Sequence, residues 1–422
     1  MNVMKTALYR PLLAAAIGAL GALALPAMAA DVAEGTVISA ANLDQVKNQT
    51  FEGHTIGSML TEKMEWRIRS NGWKLTLAHS KHPPLDPRWV KATKANEGKT
   101  KINDAKCTVD GWVAGAPFPT IDEKDPDVAK KIIWNQSLGQ LVGDVSEVPF
   151  YTQVLIDGKS GIHAELVAEF SRYNMKGRFT SDKSVEGDGT EATRQLLFFK
   201  APSDMKGLGT YTVTYDSDKV PDVWAYIPSA RRVRRLSGGA WMDPIGSSDQ
   251  LQDDLEGFNA RPCWYPQYKY LGKRWVLASA NSKTGLWNPK GATMAEKYPG
   301  LDAANPPYWN VANNFEPREV YIIEAITPPQ HPYSKKVLYI DVKYPRIHYA
   351  EMYDRKGEFW KFMESMSYNN TKDGDIRSAE VNIIDYQRNH ATLSLIDTSS
   401  WRTNFAAKPE EFSLTRLQNA SH

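Results

Sequence analysis

The sequence is poor in cysteine, has no large excess of charge of either sign, and lacks a long apolar run after residue 29. The one apolar run near its start, residues 11–26, is shorter than the roughly 18 residues that a membrane-spanning helix needs. Lys5 and Arg10 precede this run and small residues at 27 and 29 follow it, which is the pattern of a secretory signal peptide. We therefore expect cleavage after Ala29 and export of a soluble chain to the periplasm.

The charge balance of the expected mature chain argues against nucleic acid as a partner. The signal segment carries Lys5 and Arg10 and no acidic residue, so 49 of the 51 basic side chains remain against 49 acidic ones. A protein that binds nucleic acid typically carries a basic excess. No cysteine lies near the cleavage site, which excludes lipid attachment at a new N-terminal cysteine.

Cys107 and Cys263 are the two cysteines of the chain. In an oxidising compartment such an even pair is compatible with a disulfide, and two free buried thiols are the alternative. The cysteines do not form the C-x-x-C spacing of a redox pair. We therefore predict no catalytic role for either thiol.

Signatures of enzymes and of metal sites are also missing. None of the eight histidines stands in an H-E-x-x-H or H-x-H motif, and no G-x-S-x-G sequence is present. Residues 158–160 read Gly-Lys-Ser but lack the first glycine of a phosphate-binding loop. We predict no catalytic residue, metal or cofactor, and a catalytic triad of scattered residues stays open as an alternative.

What the chain does contain is a long series of strand patterns, with 13 Trp, 19 Tyr and 25 Pro that favour strands and structured loops over long helices. Residues 209–215 alternate cleanly and place Tyr211, Val213 and Tyr215 on one face. Short turns join most of these segments, so neighbouring strands should be antiparallel. The predicted strands are residues 150–156, 195–199, 209–215, 222–228, 231–236, 318–326, 336–342, 347–353, 358–362, 381–386 and 391–395, with 162–173 as a strand or a helix.

The predicted fold is mainly β, with a large curved antiparallel sheet. A sheet this long must curl to hide its apolar face, and a helix in its mouth makes it a half-open barrel filled by side chains or by an apolar ligand. Residues 56–69 have helical spacing, and residues 80–135 are rich in Gly and Pro and should be mostly loop. The predicted divisions are a signal peptide at 1–29, a helical and loop region at 30–147, and the barrel at 148–422 with a Pro- and Trp-rich insertion at about 263–317.

The tract 222–255 is the most distinctive part of the sequence, because it holds Arg231, Arg232, Arg234 and Arg235 within five residues. Arginines in such number are costly to bury without partners. Two roles stay open for them. They can pair with the acidic residues downstream, which are Asp249, Asp253 and Asp254. They can also bind an anionic head group, because guanidinium forms bidentate hydrogen bonds with phosphate and carboxylate.

This tract resembles the outer membrane lipoprotein-sorting-like periplasmic proteins. A closer resemblance is to domain-of-unknown-function family 1329, which residues 53–60 and 111–122 also match, and it extends over nearly the whole mature chain. Two departures are Asp243-Pro244 before Gly246 and Gln250-Leu251 after Asp249. The matching residues of the tract are Trp224, Tyr226, Pro228, Arg231, Arg232, Val233, Arg234, Arg235, Met242, Gly246, Ser248, Asp249 and Asp254.

The resemblance implies a fold like the LolA and LolB carriers, which are half-open antiparallel barrels plugged by helices that hold acyl chains inside. It also implies partners: an RND/MMPL-type transporter of the inner membrane and an outer-membrane protein. The insertion at 263–317 has no counterpart in the small carriers.

These observations lead to one principal hypothesis, a carrier or chaperone for a lipid or other hydrophobic ligand in the periplasm. A buried acyl chain would gain about 0.8 kcal/mol per methylene. The alternatives are an envelope adaptor with a packed barrel and, less favoured, an enzyme that acts on a hydrophobic substrate. The candidate ligand-binding residues are Tyr211, Tyr215, Trp224, Tyr226, Arg231, Arg232, Arg234, Arg235, Trp241 and Met242.

Overall fold

The computed structural model describes residues 31–236, 240–282, 287–370 and 374–419. The expected signal peptide, residues 1–29, lies outside the described residues. In the described part the helices are α1 Leu43–Val46, α2 Glu62–Asn71, α3 Pro87–Ala95, α4 Val128–Leu138, α5 Met294–Lys297 and α6 Leu414–Asn419. No helix among these is both long and apolar enough to span a bilayer.

Strands dominate the described residues. They are β1 Val37–Ile38, β2 Thr50–Phe51, β3 His54–Thr55, β4 Leu75–Leu77, β5 Lys101–Asn103, β6 Thr108–Asp110, β7 Val145–Asp157, β8 Gly161–Asn174, β9 Glu191–Ala201, β10 Gly209–Tyr215, β11 Asp222–Ile227, β12 Arg232–Arg235, β13 Gln267–Ala278, β14 Asn314–Ile326, β15 Tyr333–Asp341, β16 Ile347–Asp354, β17 Phe359–Asn370, β18 Asp375–Asp385, β19 His390–Ile396 and β20 Arg402–Thr403.

Sixteen of these strands form one sheet. Its order is β1-β4-β14-β15-β16-β17-β18-β19-β7-β8-β9-β10-β11-β12, with β13 beside β14 and β20 beside β7. Neighbours are antiparallel except for β4 against β14. The path starts at β1 and ends at β12, and no pairing joins these two strands in the part of the chain described. The structure confirms the predicted mainly β fold, a large open sheet plugged by helices and loops.

Helix α2 covers one face of the sheet, here called the α2 face. Thr61 caps its start, where the side chain accepts a hydrogen bond from the Met64 amide, and Gly72 ends it in a left-handed conformation. Met64 and Ile68 stand four residues apart and pack with Phe362 and other apolar residues of the sheet. This burial on one side fixes the helix against strands β15–β17.

The opposite face is here called the α4 face. Ile132 and Ile133 of α4, together with the segment 240–265, pack onto Leu338, Met363 and Ile383 of the sheet, which are at most 1% exposed. Cross-strand pairs carry this face continuously from β15 through β19 to β7. Over these strands the interior is therefore filled by side chains of the protein itself.

The structure refines the sequence-based expectation in three segments. Residues 80–135 are mostly loop, as expected, but they also contain α3, β5, β6 and the first part of α4. Residues 162–173, left open between strand and helix, belong to strand β8. Strand β13 lies inside the Pro- and Trp-rich stretch and pairs along the edge of β14. Glycine and proline mark where turns occur, but they do not exclude short elements between the turns.

Cys107 and Cys263 form a disulfide, with Cα atoms 5.5 Å apart. The bond ties the short β5–β6 hairpin region to the segment that covers the α4 face. The Arg261 guanidinium reinforces this junction, because it donates a 2.8 Å hydrogen bond to the Cys107 carbonyl oxygen. The cross-link therefore holds the cover of the sheet rather than any reactive group.

Candidate ligand-binding site

The predicted aromatic residues lie together on the α2 face of β10 and β11. Tyr211 stacks on Trp224 with ring centroids 5.5 Å apart, and Tyr226 follows in the same cluster. Phe412 and Leu417, from the chain end that carries α6, close this cluster from outside. The structure thus places these three aromatic residues within a packed core, with Tyr211 and Tyr226 at most 6% exposed.

Tyr215 lies at the end of that cluster and takes part in a polar contact. Its hydroxyl donates a 2.7 Å hydrogen bond to the Asp222 carboxylate, which also pairs with Lys219 and Arg235. The Tyr215 hydrogen bond is the largest of the effects that lower the pKa of Asp222, to about 2. Asp222 is therefore a fixed negative charge that holds Tyr215 and Arg235 in place.

The four arginines are exposed around the edge strand β12. Register with β11 places Arg232 and Arg234 on the α4 face and Arg235 on the α2 face, while Arg231 precedes the strand with φ +47°. Pairing with the downstream aspartates, one of the two roles left open by the sequence, is not found among the described residues. Those carboxylates are buried beside Lys336 of β15, His390 of β19 and Arg388 of the turn before β19. Partners so distant in sequence could not be recognised from the local pattern.

Asp253 and Asp254 pair with Lys336 of β15 instead. The Lys336 ammonium lies 2.7 Å from an Asp253 oxygen and 2.8 Å from an Asp254 oxygen, and all three side chains are fully buried. Burial alone would lower the pKa of Lys336, but the two carboxylates outweigh it and raise that pKa. Tyr265 donates to Asp253 and Tyr333 donates to Asp254. This cluster fastens the segment 240–265 to the sheet.

Trp241 and Met242 lie at the margin of this cover and are half-buried. The Trp241 ring contacts those of Trp264 and His331, at centroid distances of 5.1 and 5.4 Å. The structure therefore separates the predicted site residues into three places: the core under α6, the edge strand β12 and the border of the cover.

In the part of the chain described, many residues on the α4 face of β8–β12 are only half-buried, whereas most apolar residues of this face on β15–β18 are buried. We call these half-buried residues the open stretch. Cross-strand pairing joins them in two rows, one through Phe170 and Leu197 and one through Arg172 and Gln195, and both rows continue onto β10 and β11. The open stretch consists of Phe170, Arg172, Gln195, Leu197, Thr210, Thr212, Val223 and Ile227, all half-buried.

This stretch is amphipathic from its inner end to its outer end. Strands lie 4.7–4.9 Å apart, so β8 to β12 spans about 19 Å. Phe170, Leu197 and Ile227 supply apolar surface across that width. Arg172 stands at the inner end, and Arg232 and Arg234 stand at the outer edge on the same face. A long apolar molecule with an anionic end matches this distribution.

Arg172 is the most informative residue of the open stretch. Its guanidinium donates one 3.3 Å hydrogen bond to the Gln140 side-chain oxygen, and no carboxylate of a described residue forms an ion pair with it. Burial lowers the pKa of Arg172, and the negative charge of Glu256 opposes that shift. Glu256 is itself within hydrogen-bond distance of Arg346 and Ser378. Arg172 therefore keeps donors available beside an apolar surface.

Sequence reasoning did not select Arg172. A signal was nevertheless present, since Leu166, Ala168, Phe170 and Arg172 fall at every second position of one strand. An arginine that continues an apolar row points to the same face as that row. The uncertainty between strand and helix for residues 162–173 hid this periodicity.

The α2 face also holds buried charge, below α2. Arg67 is fully buried, stacks on Trp73 at 3.9 Å and pairs with Glu364 at 3.2 Å. Glu380, on the next strand, is buried beside Glu364. Burial, and secondly the charge of Glu364, raise the pKa of Glu380 to about 8. Glu380 is therefore predominantly neutral at pH 7.

We expect this carboxyl to make stability depend on pH. Its pKa is 4.5 in the unfolded chain and about 8 in the folded one, so its contribution is complete below pH 4.5 and is lost as pH rises towards 8. Between pH 6 and 7.5 the loss is about 2 kcal/mol at 1.4 kcal/mol per pH unit. Glu380→Gln should remove this slope in urea unfolding, and an unchanged slope would contradict the assignment.

Comparison with known proteins identifies the family. The model of DUF1329, described as a protein of unknown function, matches residues 37–418. The chain therefore belongs to the DUF1329 family, as the resemblance implied. No curated protein matches the sequence.

Three solved structures are similar to the chain at low identity. An outer membrane lipoprotein-sorting protein domain from Vibrio parahaemolyticus shares 18% identity over 70% of this chain and 99% of its own, with a TM-score of 0.47. A DUF1329 family protein from Desulfovibrio piger shares 16% over 65% and 92%, with a TM-score of 0.44. A LolA superfamily protein from Nitrosomonas europaea shares 14% over 68% and 98%, with a TM-score of 0.38.

Proposed function

We propose that the protein is a periplasmic carrier or chaperone that binds a hydrophobic molecule with an anionic end. The observation that carries this proposal is the open stretch, where Arg172 lies beside half-buried apolar side chains without an ion-pair partner among the described residues. The acyl part of a lipid would lie across Phe170, Leu197 and Ile227. Its carboxylate or phosphate would take the donors of Arg172.

The position of the ligand differs from the one first expected from sequence. Leu338 and Ile340 of β15, which an apolar ligand in the middle of the sheet would contact, are at most 1% exposed under the cover of the α4 face. In this proposal the ligand lies instead over the half-buried residues of β8–β12. The exposed Arg232 and Arg234 stand at the outer end of that surface and would meet the head group on entry or release.

Substitution of Arg172 by methionine tests this proposal. The variant keeps an apolar stem and loses the charged head, so it should bind palmitate about 10- to 100-fold more weakly, because a hydrogen bond to a charged group is worth about 1.5–3 kcal/mol. Binding of hexadecan-1-ol, which has no charge, should hardly change. Calorimetric or fluorescence titration of both probes into delipidated protein measures the two affinities.

Adjacent residues of β12 give a matched control for this experiment. Arg234→Gln changes a charge on the α4 face, whereas Arg235→Gln changes one on the α2 face. The first should slow the association of palmitate and the second should not, because only Arg234 lies on the face that the head group crosses on entry. If Arg172→Met binds palmitate as tightly as the unchanged protein, the head-group assignment is wrong.

A second function, an envelope adaptor, is favoured by the packing of the α4 face under the segment 240–265. A filled interior over β13–β19 suits a scaffold that grips partners by its surface. The proposed partners are an inner-membrane transporter of the RND/MMPL type and an outer-membrane protein. Native mass spectrometry of protein from its own host separates the two functions, since a carrier retains lipid and an adaptor has a clean mass and co-purifies with its transporter.

A further inference from the structure

A pair of histidines outside the open stretch forms an unusual contact. His163 on β8 and His390 on β19 face each other with Nε2 atoms 2.7 Å apart, although β7 lies between their strands. The ring centroids are 5.0 Å apart. His390 is 8% exposed and His163 is exposed, so the contact can be reached from solvent on one side.

The second nitrogen of His390 is held by a buried carboxylate. Asp249 Oδ2 lies 2.5 Å from His390 Nδ1 and also accepts a 2.9 Å hydrogen bond from Thr392. Asp249 is 1% exposed, and its other oxygen pairs with Arg388 at 3.1 Å. A His390 ring that donates its Nδ1–H to Asp249 turns Nε2 towards His163.

A histidine that ligates a metal through one ring nitrogen usually donates the N–H of its other ring nitrogen to a carboxylate. His390 and Asp249 have this arrangement. The carboxylate fixes both the tautomer and the ring orientation, which raises the basicity of the ligating nitrogen. Asp249 comes from the cover of the α4 face, whereas His390 starts β19. The three residues are therefore brought together by the fold and not by any local motif.

We propose that His163 and His390 bind a divalent transition-metal ion that favours imidazole, such as Zn²⁺ or Cu²⁺, with Asp249 as the orienting carboxylate. Zinc–nitrogen bonds of 2.0–2.1 Å in tetrahedral geometry need the two nitrogens about 3.3 Å apart. The exposed His163 side chain can open this gap by rotation. In the described part of the chain no set of three or more His, Cys, Asp or Glu gathers around a metal position, so the remaining coordination positions fall to water or to an external ligand.

Calorimetric titration of Zn²⁺ into the tag-free, EDTA-treated mature chain tests the site. We expect one ion per chain, and His163→Ala should weaken binding at least tenfold. Asp249→Asn should weaken it 10- to 100-fold, the range usual for loss of a supporting carboxylate. With Cu²⁺ in place of Zn²⁺, electron paramagnetic resonance should show coupling to two imidazole nitrogens in the unchanged protein and to one in His163→Ala.

His54→Ala is the matched control, since that histidine stacks on Trp275 at 4.0 Å, away from the pair. It should bind Zn²⁺ as the unchanged protein does. His163 is exposed, so its replacement should leave the circular dichroism spectrum unaltered and any loss of metal can be assigned to the ligand. Zn²⁺ binding that is absent, or equal in His163→Ala and His54→Ala, would overturn the proposal.

Discussion

Methionine in place of Lys336 should lower the free energy of unfolding by about 3–5 kcal/mol. The Lys336 ammonium is the shared partner of Asp253 and Asp254, all three side chains being fully buried. Its loss leaves two carboxylates together in the interior, where their desolvation is no longer offset. Urea unfolding followed by tryptophan fluorescence measures the change.

The neighbouring lysine provides the control for this substitution. Lys335 pairs with Glu324 and is 32% exposed, and Glu324 keeps a second partner in Lys269. Lys335→Met should therefore change the free energy of unfolding by at most about 1 kcal/mol, as is usual for surface ion pairs. Equal effects of the two substitutions would show that the buried cluster does not fasten the cover to the sheet.

Removal of the Cys107–Cys263 disulfide should lower the free energy of unfolding by an amount similar to that of Lys336→Met. The two cysteines are 156 residues apart in sequence, and the chain-entropy model assigns about 5 kcal/mol to a loop of that length, against 2–4 kcal/mol for typical disulfides. We expect the Cys107→Ser, Cys263→Ser double variant to lose about 3–5 kcal/mol. Urea unfolding with and without a reducing agent checks this.

The reducing agent itself supplies the comparison. Reduction should destabilise the unchanged protein to the level of the double variant and should leave the double variant as it was. An unfolding midpoint that is the same for all four samples would mean that the bond contributes nothing to stability.

The strands were predictable from sequence, because alternation such as that of Tyr211, Val213 and Tyr215 involves only neighbouring residues. The segments that cover each face of the sheet were not predictable in this way. Phe412 and Leu417, far along the chain, pack on this aromatic row. The sequence around residue 211 does not predict that contact. The same limit applies to the arginines of β12, because the aspartates that could have paired with them pair instead with Lys336, Arg388 and His390.

The sequence predicted the type of candidate site but not its position in the fold. An apolar surface with arginine nearby was expected, and the structure offers one, but at Arg172 and on the open stretch rather than on the aromatic row. Which of two faces stays uncovered depends on where the segment 240–265 and α6 settle. That is decided by contacts between parts of the chain far apart in sequence.

The position of β19 beside β7 has a consequence for how the molecule matures. One run of strands, β7–β12, and a second run, β14–β19, are each built from consecutive neighbours, but the seam between them pairs His390 with Asp157. The seam can form only when nearly the entire chain has emerged, and contacts of such long range slow folding. Until then each run exposes an unpaired strand edge. A newly synthesised chain should therefore depend most strongly on chaperones in the last stage of its folding.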